Sequence, residues 1–433
     1  MDNRSIIQKS IDYIEQNLKT EITVQELAGE AGFSVFHYYR IFQSVVGKPV
    51  MQYILRRRLL MALYEIGYED EYIGSMAEVA LSYGFDTYAG FYKACVREIG
   101  YTPSDFLKRY KAKKSYKMDL FKEEHIMITR KKITEILGYW GLQDEQVKDI
   151  YYEGTGNHND SAYYVGEQYV LKFATEYDRI RKQIELSKAM ESAGIITATA
   201  VPAMDGREVI EDEGLYYCVT KRLEGKSLKS EDIFNRTEEG YKLGKLIGKL
   251  HIALEKMDVV VDESNLYESV TKWALPKVCQ MMNLPKQICK DYEKSFGEIY
   301  HQLPKQVIHR DPNPGNIIIN HEDAGFIDFE LSERNVRIFD PCYAATAVLS
   351  ECFADDSDRL SKWLRIYQGI IEGYDSVAKL SEEEKKAVPY VILSNQLICV
   401  AWLSEMEKYE DICKTNIKMT QWIVENMEEL RIV

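Results

Sequence analysis

The run Val307-Ile308-His309-Arg310-Asp311-Pro312-Asn313-Pro314-Gly315-Asn316, followed after an apolar stretch by Ile327-Asp328-Phe329-Glu330, constrains this chain more than any other feature. It sets one carboxylate, Asp311, where an attacking hydroxyl could meet it. An amide oxygen follows five residues on at Asn316, and a second carboxylate stands at Asp328. Hard oxygen donors in that order suit phosphoryl transfer, with Asp311 orienting or deprotonating the acceptor and Asn316 and Asp328 holding Mg²⁺. His309 reads as a brace for this loop, and Asp340, in Arg337-Ile338-Phe339-Asp340-Pro341, as its structural anchor.

With 433 residues the chain is too long for one ordinary core, so two or three domains are expected. No apolar run reaches membrane-spanning length and the N-terminus lacks a secretion signature, which predicts a cytoplasmic protein without a membrane partner. The eight cysteines are scattered and form no C-x-x-C pair, so neither a zinc site nor a disulfide framework is expected. Charge is uneven. Residues 1–115 carry 15 Lys+Arg against 14 Asp+Glu, while the remainder carries 40 against 55. Only the first segment could approach a nucleic acid without strong repulsion, and its basic patches are Arg56-Arg57-Arg58 and the cluster Lys108, Arg109, Lys111, Lys113 and Lys114.

That segment also contains an internal repeat. Leu27-Ala28 and Gly32-Phe33-Ser34 recur as Val79-Ala80 and Gly84-Phe85-Asp86. Each copy reads as an apolar-periodic helix, a glycine at a tight turn, and a Ser or Asp that caps a second helix. Ile7, Ile11, Ile14 and Leu18 form a helical stripe ahead of the first copy, and residues 52–66 make a long helix between the copies. The pattern Thr23-Val24-Gln25-Glu26-Leu27-Ala28, Arg40-Ile41-Phe42, Gly47-Lys48-Pro49, Arg58-Leu59, Phe91, Lys93 and Gly100-Tyr101-Thr102-Pro103-Ser104-Asp105-Phe106 resembles the DNA-binding domain of the AraC/XylS family along its whole length.

The resemblance implies two recognition helices, at about 34–45 and 86–98, set into successive major-groove segments of double-stranded DNA. Phe36, Tyr39 and Arg40 in the first, and Tyr88, Ala89 and Lys93 in the second, fall where the family makes groove contacts. Packing is the alternative for Phe36 and Tyr39. Phe33, Phe42, Phe85 and Phe91 are assigned to the core. Arg40 or Lys93 could read a guanine edge or grip phosphate. Gly90 interrupts the second helix at a cost of about 1 kcal/mol relative to alanine.

Residues 111–124 read as a charged tether. A helix at about 129–139 follows, then strands at 147–153, 161–165 and 169–173, with Gly154 and Gly156 in the first turn, where backbone amides could cover nucleotide phosphates. Lys172 lies in a strand with Leu171 and Phe173 on either side, suited to meeting the α- and β-phosphates, and Glu185 on the next helix could pair with it. A strand at 215–220 leads into a hinge at Lys221-Arg222-Leu223-Glu224-Gly225.

Asn313 occupies the position where protein kinases usually place lysine. With Pro314-Gly315-Asn316-Ile317-Ile318, Gly248-Lys249-Leu250-His251, Asn335 and Asp340, the region from about 130 to 430 resembles the aminoglycoside phosphotransferase and choline kinase superfamily, closest to its choline/ethanolamine kinase branch. The resemblance implies ATP or GTP as phosphoryl donor and a small-molecule acceptor or effector. Glu351, Asp355, Asp356 and Asp358 lie where the superfamily binds acceptors, though a solvated acidic helix end explains them as well. The expectation is therefore a multidomain chain. An all-α double helix-turn-helix domain spans 1–112, a linker 113–124, and an α+β two-lobed kinase-like domain 125–433, with lobes dividing near 222. A homodimer is compatible with this reading. The second domain either phosphorylates its ligand or senses it.

Overall fold

The computed structural model describes residues 2–68, 75–110, 114–115, 117–121, 127–151, 158–321, 323–406 and 409–432. It divides into two compact units, the first comprising Met1–Thr175 with Val201–Thr220 and the second Glu176–Ala200 with Lys221–Val433. The first unit opens with seven helices: α1 Asn3–Gln16, α2 Val24–Glu30, α3 Val35–Val46, α4 Val50–Tyr68, α5 Met76–Ser82, α6 Tyr88–Ile99 and α7 Pro103–Arg109. The repeat read from glycines and alanines is also a repeat of caps. Thr23 and Glu26 form a reciprocal capping box on α2, and Ser75 and Glu78 form its counterpart on α5. Each box satisfies two amide donors that the first turn would leave orphaned. The turns that follow use Gly32 at φ 72° and Gly84 at φ 79°, conformations that cost a side chain-bearing residue.

Ile7, Ile11, Ile14, Leu27, Phe42, Leu59, Ala80 and Phe91 close one apolar core beneath these helices. Phe33 and Phe85, expected inside it, are only partly buried, because each follows a turn glycine and lies at the rim where the second helix begins. The second candidate recognition helix, α6, is capped by Thr87 rather than Asp86, its hydroxyl accepting from Gly90 N at 3.0 Å. Gly90 thus lies in the first turn, where it interrupts no helical ladder.

The helix α8 Arg130–Leu137, capped by Thr129, leads into strands β1 Val147–Tyr151, β2 His158–Val165 and β3 Tyr169–Ala174. The next elements are α9 Tyr177–Ser192, β4 Ile196–Thr197, β5 Ala200–Val201, β6 Ile210–Asp212 and β7 Leu215–Lys221. A six-stranded sheet runs in the order β1-β2-β3-β7-β5, with β6 paired to β7. Ile133, Ile136 and Leu137 of α8 pack with Leu171, Phe173, Tyr217 and Val219 of the sheet. Alternation along β3 therefore buries Leu171 and Phe173 and turns Lys172 to the opposite face, where it remains partly buried.

The second unit continues with β8 Lys226–Ser227, α10 Ser230–Asn235, α11 Glu238–Glu255, β9 Asp262–Glu263, α12 Leu266–Ser269, α13 Leu275–Met281, α14 Lys286–Asp291 and α15 Gly297–Tyr300. Strands β10 Lys305–Ile308, β11 Ile317–Asn320, β12 Asp323–Phe326 and β13 Glu333–Val336 follow. The unit closes with α16 Phe339–Cys352, α17 Ser357–Asp375, α18 Glu382–Leu403 and α19 Glu410–Glu425. Two small sheets, β10-β13-β9 and β4-β12-β11-β8, lie among these helices. By length and composition α18 could cross a membrane, contrary to the expectation from apolar runs, but 72% of its apolar window is buried in the protein.

Helices α11 and α17 meet along a glycine seam. Gly240, Gly244 and Gly248 recur every four residues on α11, and Gly369 and Gly373 face them from α17. A methyl group at Gly244 would overlap the Ile370 carbonyl oxygen, and one at Gly373 would overlap that of Tyr241. Backbone is hard to displace, so Gly244→Ala is expected to destabilise the protein by about 1–3 kcal/mol through overpacking. Urea unfolding checks this against Gly138→Ala, where a methyl meets nothing within 4 Å; equal midpoints would mean that the seam tolerates separation.

Candidate functional site

The run from His309 to Asn316 forms a loop between β10 and β11, and the β11–β12 hairpin returns the chain to it. Ile317 pairs with Phe326 across the hairpin, and Ile327 N bonds the Asn316 carbonyl at 3.0 Å. Asn316 and Asp328 are thus brought together by backbone pairing. Asn316 is 3% exposed, and its Nδ2 donates to Asp311 Oδ2 at 3.0 Å and to the Asp311 carbonyl at 3.0 Å. Asn313 Nδ2 donates to Asp311 Oδ1 at 2.8 Å. Burial pushes the Asp311 carboxyl above the usual aspartate value. Hydrogen bonds from Asn313 and the Tyr343 hydroxyl oppose that rise, and the nearby charge of Asp328 adds to it.

The loop backbone is strained at two of its residues. Arg310 has φ 76° and Asp328 φ 72°, left-handed conformations that cost a non-glycine residue about 1–3 kcal/mol when the surroundings impose them. Those surroundings are ordered by Asp340, which is fully buried. Its Oδ2 accepts from His251 Nε2 and from His309 N, both at 2.8 Å, and its Oδ1 accepts from Arg310 N at 3.0 Å. His251 in turn accepts from the Tyr374 hydroxyl at 2.8 Å. His309 donates from Nε2 to the Ile327 carbonyl at 3.0 Å and accepts from Asp311 N at 3.4 Å, so it braces both halves of the site. His251 and Tyr343 were not singled out as site residues from sequence. Tyr343 stands three residues after Asp340 on α16, a spacing that would have pointed to it.

Among the described residues no three or more His, Cys, Asp or Glu side chains gather as a metal site. Asn316 and Asp328 offer only two hard oxygen donors, the number Mg²⁺ commonly takes from protein when phosphates complete its shell. The charge of Asp328 is felt at Asp311, so the place is electrostatically receptive to a cation. Lys172 lies on β3 opposite Ala162 in the first unit. Glu185, on α9 in the second unit, accepts from Arg181 Nη1 at 2.5 Å. Gly154 and Gly156 lie outside the described residues. A cavity of about 470 Å³ lined by Lys132, Glu135, Tyr139, Met204 and Asp212 contains none of the predicted site residues.

On the candidate recognition helices, Phe36 is 74% exposed and Tyr39 36%, so packing does not account for them. Arg40, Ala89 and Lys93 are exposed as well. Tyr88 is partly packed against Phe91, and its hydroxyl reaches Met76 Sδ at 3.7 Å. The Arg56-Arg57-Arg58 patch does not form. Arg56 and Arg57 are about 5% and 4% exposed, because α4 turns them inward to carboxylates: Arg57 Nε and Nη2 bind Glu15 at 2.6 and 2.7 Å. Arg58 donates to the carbonyls of Leu18 and Thr20. Near the expected acceptor region, Asp356 caps α17 through the amides of Asp358 and Arg359, the behaviour of an acidic helix end.

A family model described as a helix-turn-helix domain matches residues 15–109, and one described as the phosphotransferase enzyme family matches residues 154–380. Across 111 residues the chain is 34% identical to the uncharacterized HTH-type transcriptional regulator YbfP of Bacillus subtilis; the match covers 25% of this chain and only 37% of that protein. It is 32% identical over 100 residues to the HTH-type transcriptional activator AarP of Providencia stuartii, covering 23% of this chain and 72% of that one. Amicoumacin kinase hAmiN, solved with AMP-PNP, Ca²⁺ and Ami, superposes with a TM-score of 0.53 at 15% identity over 69% of this chain and 92% of its own. At that identity the likeness concerns the fold.

Proposed function

Because the chain belongs to the phosphotransferase enzyme family and carries an AraC-type helix-turn-helix domain at its N-terminus, we propose that it is a cytoplasmic transcription regulator. Its first domain reads double-stranded DNA, and its second binds ATP or GTP with Mg²⁺ and phosphorylates a small hydroxylated ligand. Phe36, Tyr39, Arg40, Tyr88 and Lys93 would face the DNA. Lys172, with Gly154 and Gly156, would meet the nucleotide phosphates, and Glu185 would orient Lys172. Asn316 and Asp328 would hold Mg²⁺, which when bound neutralises charge on the β- and γ-phosphoryl oxygens. Asp311 would orient the acceptor hydroxyl and take its proton.

The observation that carries the catalytic reading is the Asp311 carboxylate, fixed by two amides and raised in pKa by burial beside Asp328. In a second reading the kinase fold senses its ligand without turnover. Titrating AMP-PNP with Mg²⁺ onto the full chain tests nucleotide binding, and ATP consumption in a screen of small amines and aminoglycosides separates turnover from sensing. Absence of nucleotide binding would overturn both readings.

For the DNA-binding part, Arg40→Ala is expected to weaken binding to a duplex selected by the full chain from a randomised pool. A base-edge role costs about 1–3 kcal/mol and relaxes specificity at one position, whereas a phosphate role lowers affinity uniformly and reduces the salt slope by about one. Fluorescence anisotropy across a salt series distinguishes them, and unchanged affinity would remove Arg40 from the interface.

A further inference from the structure

Within the first unit a buried charge knot joins the helical segment to the sheet. Asp149 on β1 is fully buried; its Oδ2 accepts from Arg56 Nη2 of α4 at 2.6 Å, and its Oδ1 from Arg130 Nη2 of α8 at 2.5 Å. His158, the first residue of β2, comes within 3.4 Å of the same carboxylate and holds Asp160 at 2.6 Å. Both arginines also donate to the Glu98 carbonyl, Arg56 at 3.3 Å and Arg130 at 2.7 Å. That carbonyl lies in the last turn of the second recognition helix, α6, where cations satisfy exposed acceptors and oppose the helix dipole.

Both recognition helices end against the same region. Gly100, the left-handed cap of α6, lies so close to β1 that a Cβ would come within 2.6 Å of Lys148 Cα and 2.7 Å of the Val147 carbonyl. Tyr101 donates to the Asp149 carbonyl at 2.9 Å. Gly47, the left-handed cap of α3, packs against the Met127 carbonyl, and the next residue, Lys48, is 5% exposed. Burial, and next the positive charge of Arg56, push the Lys48 ammonium down to about 7. Tyr151 closes the other side, its ring 4.9 Å from Phe106 and 5.3 Å from Tyr110. Packed interfaces of this density shift between arrangements rather than stretch. In sequence, β1 and β2 flank Gly154 and Gly156, and β2 pairs with β3, which carries Lys172 opposite Ala162.

We propose that this knot is a coupling device: nucleotide occupancy, felt through β1 and β2, changes how α4 spaces the two recognition helices and so changes duplex affinity. DNA binding changes nucleotide affinity by the same factor, because linkage is reciprocal. The inference rests on the nucleotide-binding reading above.

The test uses the full chain at one salt concentration, AMP-PNP with Mg²⁺, and a duplex selected by that chain from a randomised pool. In the unmodified protein each ligand is expected to change the dissociation constant of the other by the same factor, about fivefold or more. In Asp149→Asn and Arg56→Gln, each ligand alone is expected to bind within about threefold of the unmodified protein, with the mutual factor falling towards one. Hydrogen exchange on the unmodified chain supplies a readout independent of the variants' folding, with protection in α4 and α6 expected to change when AMP-PNP is added. If AMP-PNP fails to bind at all, the functional reading falls and the inference with it. If both ligands bind without affecting one another, or exchange in α4 and α6 is unmoved, only the coupling falls. Persistence of the full factor in both variants would remove the knot from the route.

Discussion

Asp311→Asn is expected to bind nucleotide within a few-fold of the parent protein and to lower phosphoryl transfer by about 10²–10⁴-fold, the usual contribution of a positioned general base. Asparagine fills the same space, so Asn313, Asn316 and Tyr343 keep a neighbour, but it cannot take the acceptor proton. The pH profile supplies a second readout. Burial raises the Asp311 carboxyl, so the deprotonated, competent form is lost at a higher pH than for an ordinary aspartate, near about 3.9. The rate should rise with pH through a midpoint above that value, and the substitution should abolish this limb. An unchanged rate would take Asp311 out of the mechanism. Nucleotide binding without turnover in the parent chain would instead favour the sensing reading.

Asp149→Ala is expected to destabilise the first unit by about 3–5 kcal/mol, a large share of the total for a natural domain. The loss comes less from the pair's own attraction than from leaving buried Arg56 and partly buried Arg130 beside each other without a counter-charge. A triple replacement, Arg56→Met with Asp149→Leu and Arg130→Met, should recover most of the stability, because desolvation of the ions disappears with their attraction. Guanidinium unfolding of all three proteins checks both statements; a small loss in Asp149→Ala would mean that water reaches the site. Burial by itself would raise the Asp149 carboxyl, yet the two guanidiniums hold it well below the usual carboxylate range. Its folded pKa lies below its unfolded one, so its stabilisation is present above the unfolded value and is lost only as pH falls through the depressed one. Mild acid should therefore leave the knot intact.

Much of this was legible because short-range chemistry fixed it. The carboxylate–amide–carboxylate order at Asp311, Asn316 and Asp328 demanded a loop between strands, and a hairpin supplied it. The double repeat was visible in Leu27-Ala28 and Gly32, and the Thr23/Glu26 and Ser75/Glu78 boxes could have been read as well, since Ser/Thr-x-x-Glu before an apolar run is a helix-start signature. Arg56 and Arg57 misled. A basic triplet on a helix looks like a phosphate grip, and its burial depends on Glu15 and Asp149, the latter 93 positions away from Arg56 and unreadable from local pattern. Asp340 read correctly as an anchor, but its partner His251 lies 89 residues upstream, and only the fold joins them.

The glycine seam between α11 and α17 has a consequence beyond packing. His251 stands three residues beyond Gly248 on the same helix, and its imidazole meets Tyr374, which follows Gly373 on the facing helix. The interlocked backbones therefore act as a gauge block. They fix the height of that imidazole, through it the setting of Asp340, and through Asp340 the His309 and Arg310 amides that lead into Asp311. A methyl group added far from Asp311 would be read at the loop as a misalignment, so loss of the proposed turnover could precede any visible loss of folding.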